Sequence, residues 1–192
     1  MKIIEENFNM IMAGVGGQGL ITLVSIIDEA VLIEGCDVRS SELHGLSQRG
    51  GSVEIHIKFG KKVYSPLISK GEADLILGLE MSEALKSSIF AGHETKFLIN
   101  EHSTAYLGGL PAKDILASLH TIVDKDNFYL VPASKICQEK LNKEVLSGIY
   151  LLGYAVSKKL IPLKRESVLE AINRIIPEKY RDANIKALKL SK

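Results

Sequence analysis

Apolar positions along this chain recur with two periods, every second residue in short runs and every third or fourth in longer ones. Their alternation predicts an α/β fold: an open, mostly parallel sheet with helices on both faces. The first run starts at Phe8 and breaks at a cluster of glycines. Residues 18–34 then carry Leu20, Val24, Ile27 and Val31 on one stripe, with Leu23, Ile26 and Ala30 beside it. An apolar surface that wide predicts a helix packed on a sheet and on a neighbour, and Gly35 follows as the residue that ends it. A second strand is predicted at about 37–41. Residues 52–59 alternate cleanly, Val53, Ile55, Ile57 and Phe59 against Ser52, Glu54, His56 and Lys58. That predicts one dry face and one wet or partner-facing face, with His56 solvated or hydrogen-bonded. Gly60-Lys61-Lys62 reads as a turn into a short arm, Val63-Tyr64, so a β-hairpin is predicted after the second strand.

Residues 74–79 form a continuous apolar run, the mark of a central parallel strand buried on both faces. A helix over 82–90, a strand over 95–100, a helix over 111–119 and a strand over 128–132 follow. From about residue 134 the pattern is helical, in segments 134–141, 145–158 and 165–176 punctuated by Pro162 and Pro177. Residues 180–188 have too few apolar positions to hold a core alone and are expected to dock on the domain or on a partner. The 192 residues, 46% hydrophobic, suit one core, so residues 1–192 are read as a single domain.

Charge and cysteine content narrow the function. A net charge of +1 supplies no field to draw nucleic acid or anionic lipid. No apolar run reaches the roughly 18 to 20 residues of a membrane span, and the opening MKIIEENFNM is acidic where a secretory signal is cationic. The expectation is a cytoplasmic protein with neither nucleic acid nor membrane as partner. The two cysteines, Cys36 and Cys137, belong to no CxxC, whereas an iron–sulfur cluster normally takes four thiolates. No metal site is expected on this chain, and any redox centre would lie elsewhere.

Candidate chemistry gathers in two glycine-bearing loops. The first strand ends in Gly14-Val15-Gly16-Gly17-Gln18-Gly19, a GxGxxG turn running straight into a helix. Glycine lets a backbone approach a ligand closely, and a helix start offers unpaired N–H groups to an anion. The same glycines would also serve plain strand-to-helix packing. Glu42 stands where a dinucleotide fold places its ribose-binding acid, but Leu43-His44-Gly45-Leu46-Ser47-Gln48-Arg49-Gly50-Gly51 and then a strand replace the expected turn into a second helix. This second loop brings a carboxylate, an imidazole, a hydroxyl, an amide and a guanidinium together, and it should emerge beside the first; Glu42 and Arg49 could instead tie the loop to itself. Glu80 and the group Asn100, Glu101 and His102 lie at the carboxyl ends of later strands, where open α/β sheets place their sites and where capping roles are also common.

GVGGQG, SELHGLSQRGG and SPLISKGEADLILGLE in this order resemble the gamma subunits or domains of the 2-oxoacid:ferredoxin oxidoreductases. The form of the second loop is most similar to the beta subunits of the indolepyruvate branch. The similarity runs strongly from about residue 9 to 98 and more loosely to 184–188. Ser147 departs from the family, which often carries asparagine there, so a polar role for that asparagine does not carry over. The resemblance implies oxidative decarboxylation of a 2-oxoacid, here an aryl pyruvate such as indolepyruvate, to its acyl-CoA, with electrons passed to ferredoxin. It implies thiamine diphosphate, Mg and [4Fe-4S] clusters in a large partner subunit, with CoA as substrate. On this chain the expected binding positions are Gly14, Gly16, Gly17, Gln18, Gly19, Glu42, His44, Ser47, Gln48, Arg49, Gly50 and Gly51. The amides of residues 16–19 would face an anion, Arg49 would pair with a phosphate or carboxylate, and His44 and Gln48 would orient it. No catalytic base is assigned. A pyruvate or other 2-oxoacid substrate, a purely structural assembly subunit and an independent NAD-type oxidoreductase remain as alternatives.

Overall fold

The computed structural model describes residues 6–45, 50–104 and 109–191. Six strands form one sheet in the order β2-β3-β1-β4-β5-β6: β1 Phe8–Val15, β2 Asp37–His44, β3 Ser52–Gly60, β4 Ala73–Gly78, β5 Ala91–Asn100 and β6 Phe128–Val131. Strands β1, β4, β5 and β6 are parallel neighbours, while β3 runs antiparallel to both β1 and β2. The carboxyl ends of β1, β2 and β4 therefore share one rim. The helices are α1 Leu20–Ile33, α2 Met81–Lys86, α3 Ala112–Ile122, α4 Ala133–Leu141, α5 Ser147–Ser157, α6 Arg165–Ile175 and α7 Glu178–Leu190. Strand residues alternate between faces. Met10 and Met12 enter the larger core under α1 and α4 to α7, and Ile11 enters the smaller core under α2 and α3.

Helix α1 ends as its glycine predicted. Gly35 adopts φ 76°, its N–H donates to Leu32 O at 2.9 Å and that of Cys36 donates to Val31 O at 3.2 Å, closing the last turn. The C-terminal helix docks on the domain itself: Ala187 and Leu188 of α7 are buried, and Arg165 donates to Leu188 O at 2.6 Å.

Two expectations are corrected. The hairpin is formed by β2 with β3, from Asp37 opposite Gly60 to His44 opposite Val53, and not by an arm at Val63-Tyr64. That arm forms no strand; Val63 is buried and donates its N–H to the Asp37 carboxylate at 3.1 Å. The polar loop is thus the tip of the hairpin. The second correction concerns the polar face of β3 around Glu54 and His56, which is covered by this chain itself. Ser87, in the 3₁₀ turn Ser87–Phe90, donates to Glu54 at 2.8 Å, and Phe90 meets the His56 ring edge-on. His56 is 3% exposed and accepts from Ile68 N–H through Nδ1, so a neutral ring carries its proton on Nε2, 3.3 Å from Glu54. Mutual hydrogen bonding is what lets these polar groups be buried.

The His56 hydrogen bond is the largest influence holding the Glu54 carboxyl below its ordinary value, with Ser87 adding to it against the opposing effect of burial. A depressed carboxyl stabilises the fold above its unfolded value, about 4.5, and that contribution is lost as pH falls through the folded value. Glu54→Gln is expected to flatten the acid side of a melting-temperature profile below about pH 4.5. An unchanged acid slope would remove this assignment.

Candidate functional site

At the end of β1 the chain makes its glycine turn, and Gly50 and Gly51, which lead into β3, lie against it. Gly16 N–H donates to Gly51 O at 2.9 Å, and Gly50 N–H donates back to Gly16 O at 3.3 Å. The two loops read from the sequence therefore meet. Gly17, Gly19 and Gly50 have φ values of 105°, 79° and 68°, a region that side-chain-bearing residues rarely adopt. Gly14 is glycine for another reason. A Cβ there would lie 2.7 Å from Gln18 Oε1, because the Gln18 side chain folds back over it.

Gln18 points into the protein. Its Oε1 accepts from Val15 N–H at 3.0 Å, its Nε2 donates to Glu80 Oε2 at 3.4 Å, and its own N–H donates to Val15 O at 3.2 Å. Of the four amides at 16–19, those of Gly16 and Gln18 thus have acceptors within the protein. Helix α1 starts just behind the turn with Gly19 as its cap, no side-chain cap and no acidic residue in its first turn. Its positive end faces the shared rim.

Glu42 and His44 lie exposed at the end of β2, paired with each other at 3.0 Å. Strand β3 separates β2 from β1, which puts Glu42 about two strand spacings, roughly 10 Å, from the strand that carries the turn. This is not the adjacent-strand position of a ribose-binding acid. Gly51 leads into Ser52, whose hydroxyl donates to the buried Glu83 of α2. Ser47, Gln48 and Arg49 lie outside the described residues.

Glu80, Asn100 and His102 prove to have different roles. Asn100 is a buried clamp: Nδ2 donates to Leu79 O at 3.2 Å and to Ser134 Oγ at 2.8 Å, and Oδ1 accepts from Ser134 N–H at 3.1 Å, capping α4 from the strand next to β6. Glu101 is exposed and joins β6 through its backbone, its N–H donating to Val131 O. His102 lies between carboxylates, with Nε2 3.7 Å from Glu80 and Nδ1 3.4 Å from Glu144. Sequence patterns do not mark Glu144, Glu83 or Thr104, whose N–H donates to Glu80 Oε1. Each lies far along the chain from its partner, and no local pattern marks such a meeting.

Beside the turn an apolar groove of about 670 Å3 runs between α1, the start of α5 and the α6–α7 corner. Gly19, Ile21, Val145, Ile149, Ile175 and Tyr180 are among the residues lining it, and Ile21, Val145 and Tyr180 are about half exposed.

Residues 9–191 match the family described as pyruvate ferredoxin/flavodoxin oxidoreductase. The chain belongs to that family. It is 35% identical to the indolepyruvate oxidoreductase subunit IorB of Archaeoglobus fulgidus, over 95% of this chain and 92% of that one. Among solved structures, the gamma subunit of a keto/oxoacid ferredoxin oxidoreductase from Geobacter sulfurreducens superposes with a TM-score of 0.68 at 20% identity, covering 96% of this chain and 95% of that one. A 2-oxoglutarate:ferredoxin oxidoreductase chain from Magnetococcus marinus, solved with 2-oxoglutarate, coenzyme A and succinyl-CoA bound, superposes at 0.72 and 17% identity. It covers 97% of this chain and 30% of that one, so the same fold also occurs as part of a much longer polypeptide.

The resemblance drawn from the three sequence segments is borne out. Cys36 and Cys137 are both buried in the larger core, and burial raises the Cys137 thiol to about 11, so it stays protonated. Among the described residues no three His, Cys, Asp or Glu side chains are grouped to hold a metal ion, and no helix is long and apolar enough to cross a membrane.

Proposed function

We propose that this chain is the small, cluster-free subunit of a cytoplasmic 2-oxoacid:ferredoxin oxidoreductase that converts indolepyruvate, or a related aryl pyruvate, to its acyl-CoA. The observation that carries the reading is the full-length likeness to an indolepyruvate oxidoreductase subunit, which spans both glycine loops. In this reading a large partner subunit holds thiamine diphosphate, Mg and the [4Fe-4S] clusters and passes electrons to ferredoxin. Thiamine diphosphate, once bound there, supplies the electron sink for decarboxylation. The share of this chain is to bind and orient. Gly17, Gly19 and the uncapped start of α1 form a positively polarised edge suited to a phosphate of CoA or of the cofactor. Arg49 would pair with the same anion bidentately. The hairpin tip, hydrogen-bonded to the turn through Gly50 and Gly51, helps keep water out.

Co-expression with the large subunit, followed by an assay of CoA-dependent ferredoxin reduction with indolepyruvate and with pyruvate, tests the reading. Activity only with both chains present and with indolepyruvate preferred is expected. Pyruvate preference would transfer the substrate assignment, and activity without this chain would remove it.

A second reading, a purely structural assembly role, draws support from the internal partners of Gly16 and Gln18, which leave fewer amides for a ligand. Arg49→Ala separates the two. A site role predicts an intact complex whose apparent CoA KM rises by about tenfold or more, whereas an assembly role predicts dissociation at unchanged KM in the fraction that remains assembled.

A further inference from the structure

Glu80 stands at the carboxyl end of β4 and is 1% exposed. Segments far apart in the chain converge on its two oxygens. Oε1 accepts from Thr104 N–H at 2.5 Å, and Oε2 accepts from Gln18 Nε2 at 3.4 Å with His102 Nε2 3.7 Å away. A carboxylate offers only acceptors, whereas an amide has one accepting and one donating end. Gln18 must therefore turn Nε2 toward Glu80, which leaves Oε1 for Val15 N–H and lays it over Gly14. An inward Gln18 satisfies the last amide of β1 and fills the inside of the turn.

We propose that Glu80 is the positioning residue of the glycine turn, acting through Gln18 to hold the turn in the shape that puts Gly17 and Gly19 at positive φ. Neither oxygen of Glu80 can be replaced by a donor without conflict. In Glu80→Gln the new amide group faces either Thr104 N–H or Gln18 Nε2. In the second case Gln18 has to flip and present its own amide group to Val15 N–H. An exchange of the two side chains avoids the conflict. In Gln18→Glu/Glu80→Gln the carboxylate at position 18 accepts from Val15 N–H and from the amide at position 80, whose oxygen accepts from Thr104 N–H. The pattern of donors is restored with the negative charge moved onto the turn. The functional part of the inference rests on the proposed contact of the turn with an anionic substrate or cofactor; the structural part does not.

A double-mutant cycle on the full chain, read by thermal unfolding, tests the positioning. Each single variant is expected to lower the melting temperature by several degrees, and the double variant to recover at least half of the summed loss. Simple additivity of the two losses would overturn the proposal. In the complex with the large subunit, Glu80→Gln is expected to raise the apparent CoA KM on the order of tenfold with a smaller change in kcat, a split that mere loosening of the fold would not produce. The double variant should keep a raised KM although its stability is recovered, because a carboxylate now stands beside the anion. Recovered stability with a wild-type KM in all three variants would uphold Glu80 as the brace of the turn and overturn the anion-contact reading.

Discussion

Asn100→Leu is expected to destabilise the protein by about 3 to 5 kcal/mol, and the reason lies in what the substitution leaves behind. Asn100 is buried, and its amide serves Leu79 O at the end of β4, Ser134 Oγ, and Ser134 N–H in the first turn of α4. Leucine fills much the same space but strands a buried carbonyl and a buried helix-start amide, each costing about 1 to 3 kcal/mol when left without a partner. At about 2 to 4 °C per kcal/mol for a chain of this size, the melting temperature should fall by roughly 10 °C. Asn100→Asp supplies a check with a sign. The carboxyl can still accept from Ser134 N–H, but burial and the facing Leu79 carbonyl raise its folded-state pKa above the ordinary value of about 3.9. A raised carboxyl costs stability above that value, so the deficit against wild type should be largest near neutral pH and shrink as pH falls toward about 4. A deficit that grows in acid would show that the clamp does not work this way.

Gly153→Ala is expected to loosen the C-terminal helix at a cost of about 1 to 3 kcal/mol. A Cβ at Gly153 in α5 would lie 2.6 Å from Leu188 O and 3.1 Å from Leu188 Cδ1 in α7. The carbonyl cannot yield as a flexible side-chain tip would, because it already accepts from Arg165 and from the Ser191 hydroxyl. Helix α7 must therefore shift away from α5, exposing Ala187 and Leu188. Thermal unfolding of the chain together with hydrogen exchange confined to residues 178–190 would register it. Unchanged protection of α7 would mean that the two helices accommodate a methyl group without separating.

The polar groups at the rim were only partly legible in the sequence. Two loops with five kinds of functional group were visible as loops, and the β1–β3–β2 arrangement does bring their glycines together at Gly16, Gly50 and Gly51. Which polar side chains serve the fold was not visible. Asn100, marked by its place at a strand end, turns inward as a cap. Gln18, inside the motif itself, turns inward to Glu80. His56 lies in an alternating strand whose polar face is read as wet, because alternation reports the character of the side chains and not what covers them.

The sequence by itself determined the strand, glycine turn and helix at residues 8–35. Strand period, positive-φ glycines and helix termination are local properties, set by residues within a turn or two of one another. It also determined that residues 75–79 lie deep in the sheet, since a continuous apolar run has no wet face to offer, whereas Asp74 at its start is exposed. Tertiary structure alone decided that β2 pairs with β3 instead of lying beside β1, that the face of β3 around His56 is dry, and that Glu80 gathers Gln18, Thr104 and His102. Those outcomes depend on contacts between residues many tens of positions apart. A strand's choice of neighbour and a carboxylate's choice of donor are settled only when the whole sheet and its helices are assembled around them.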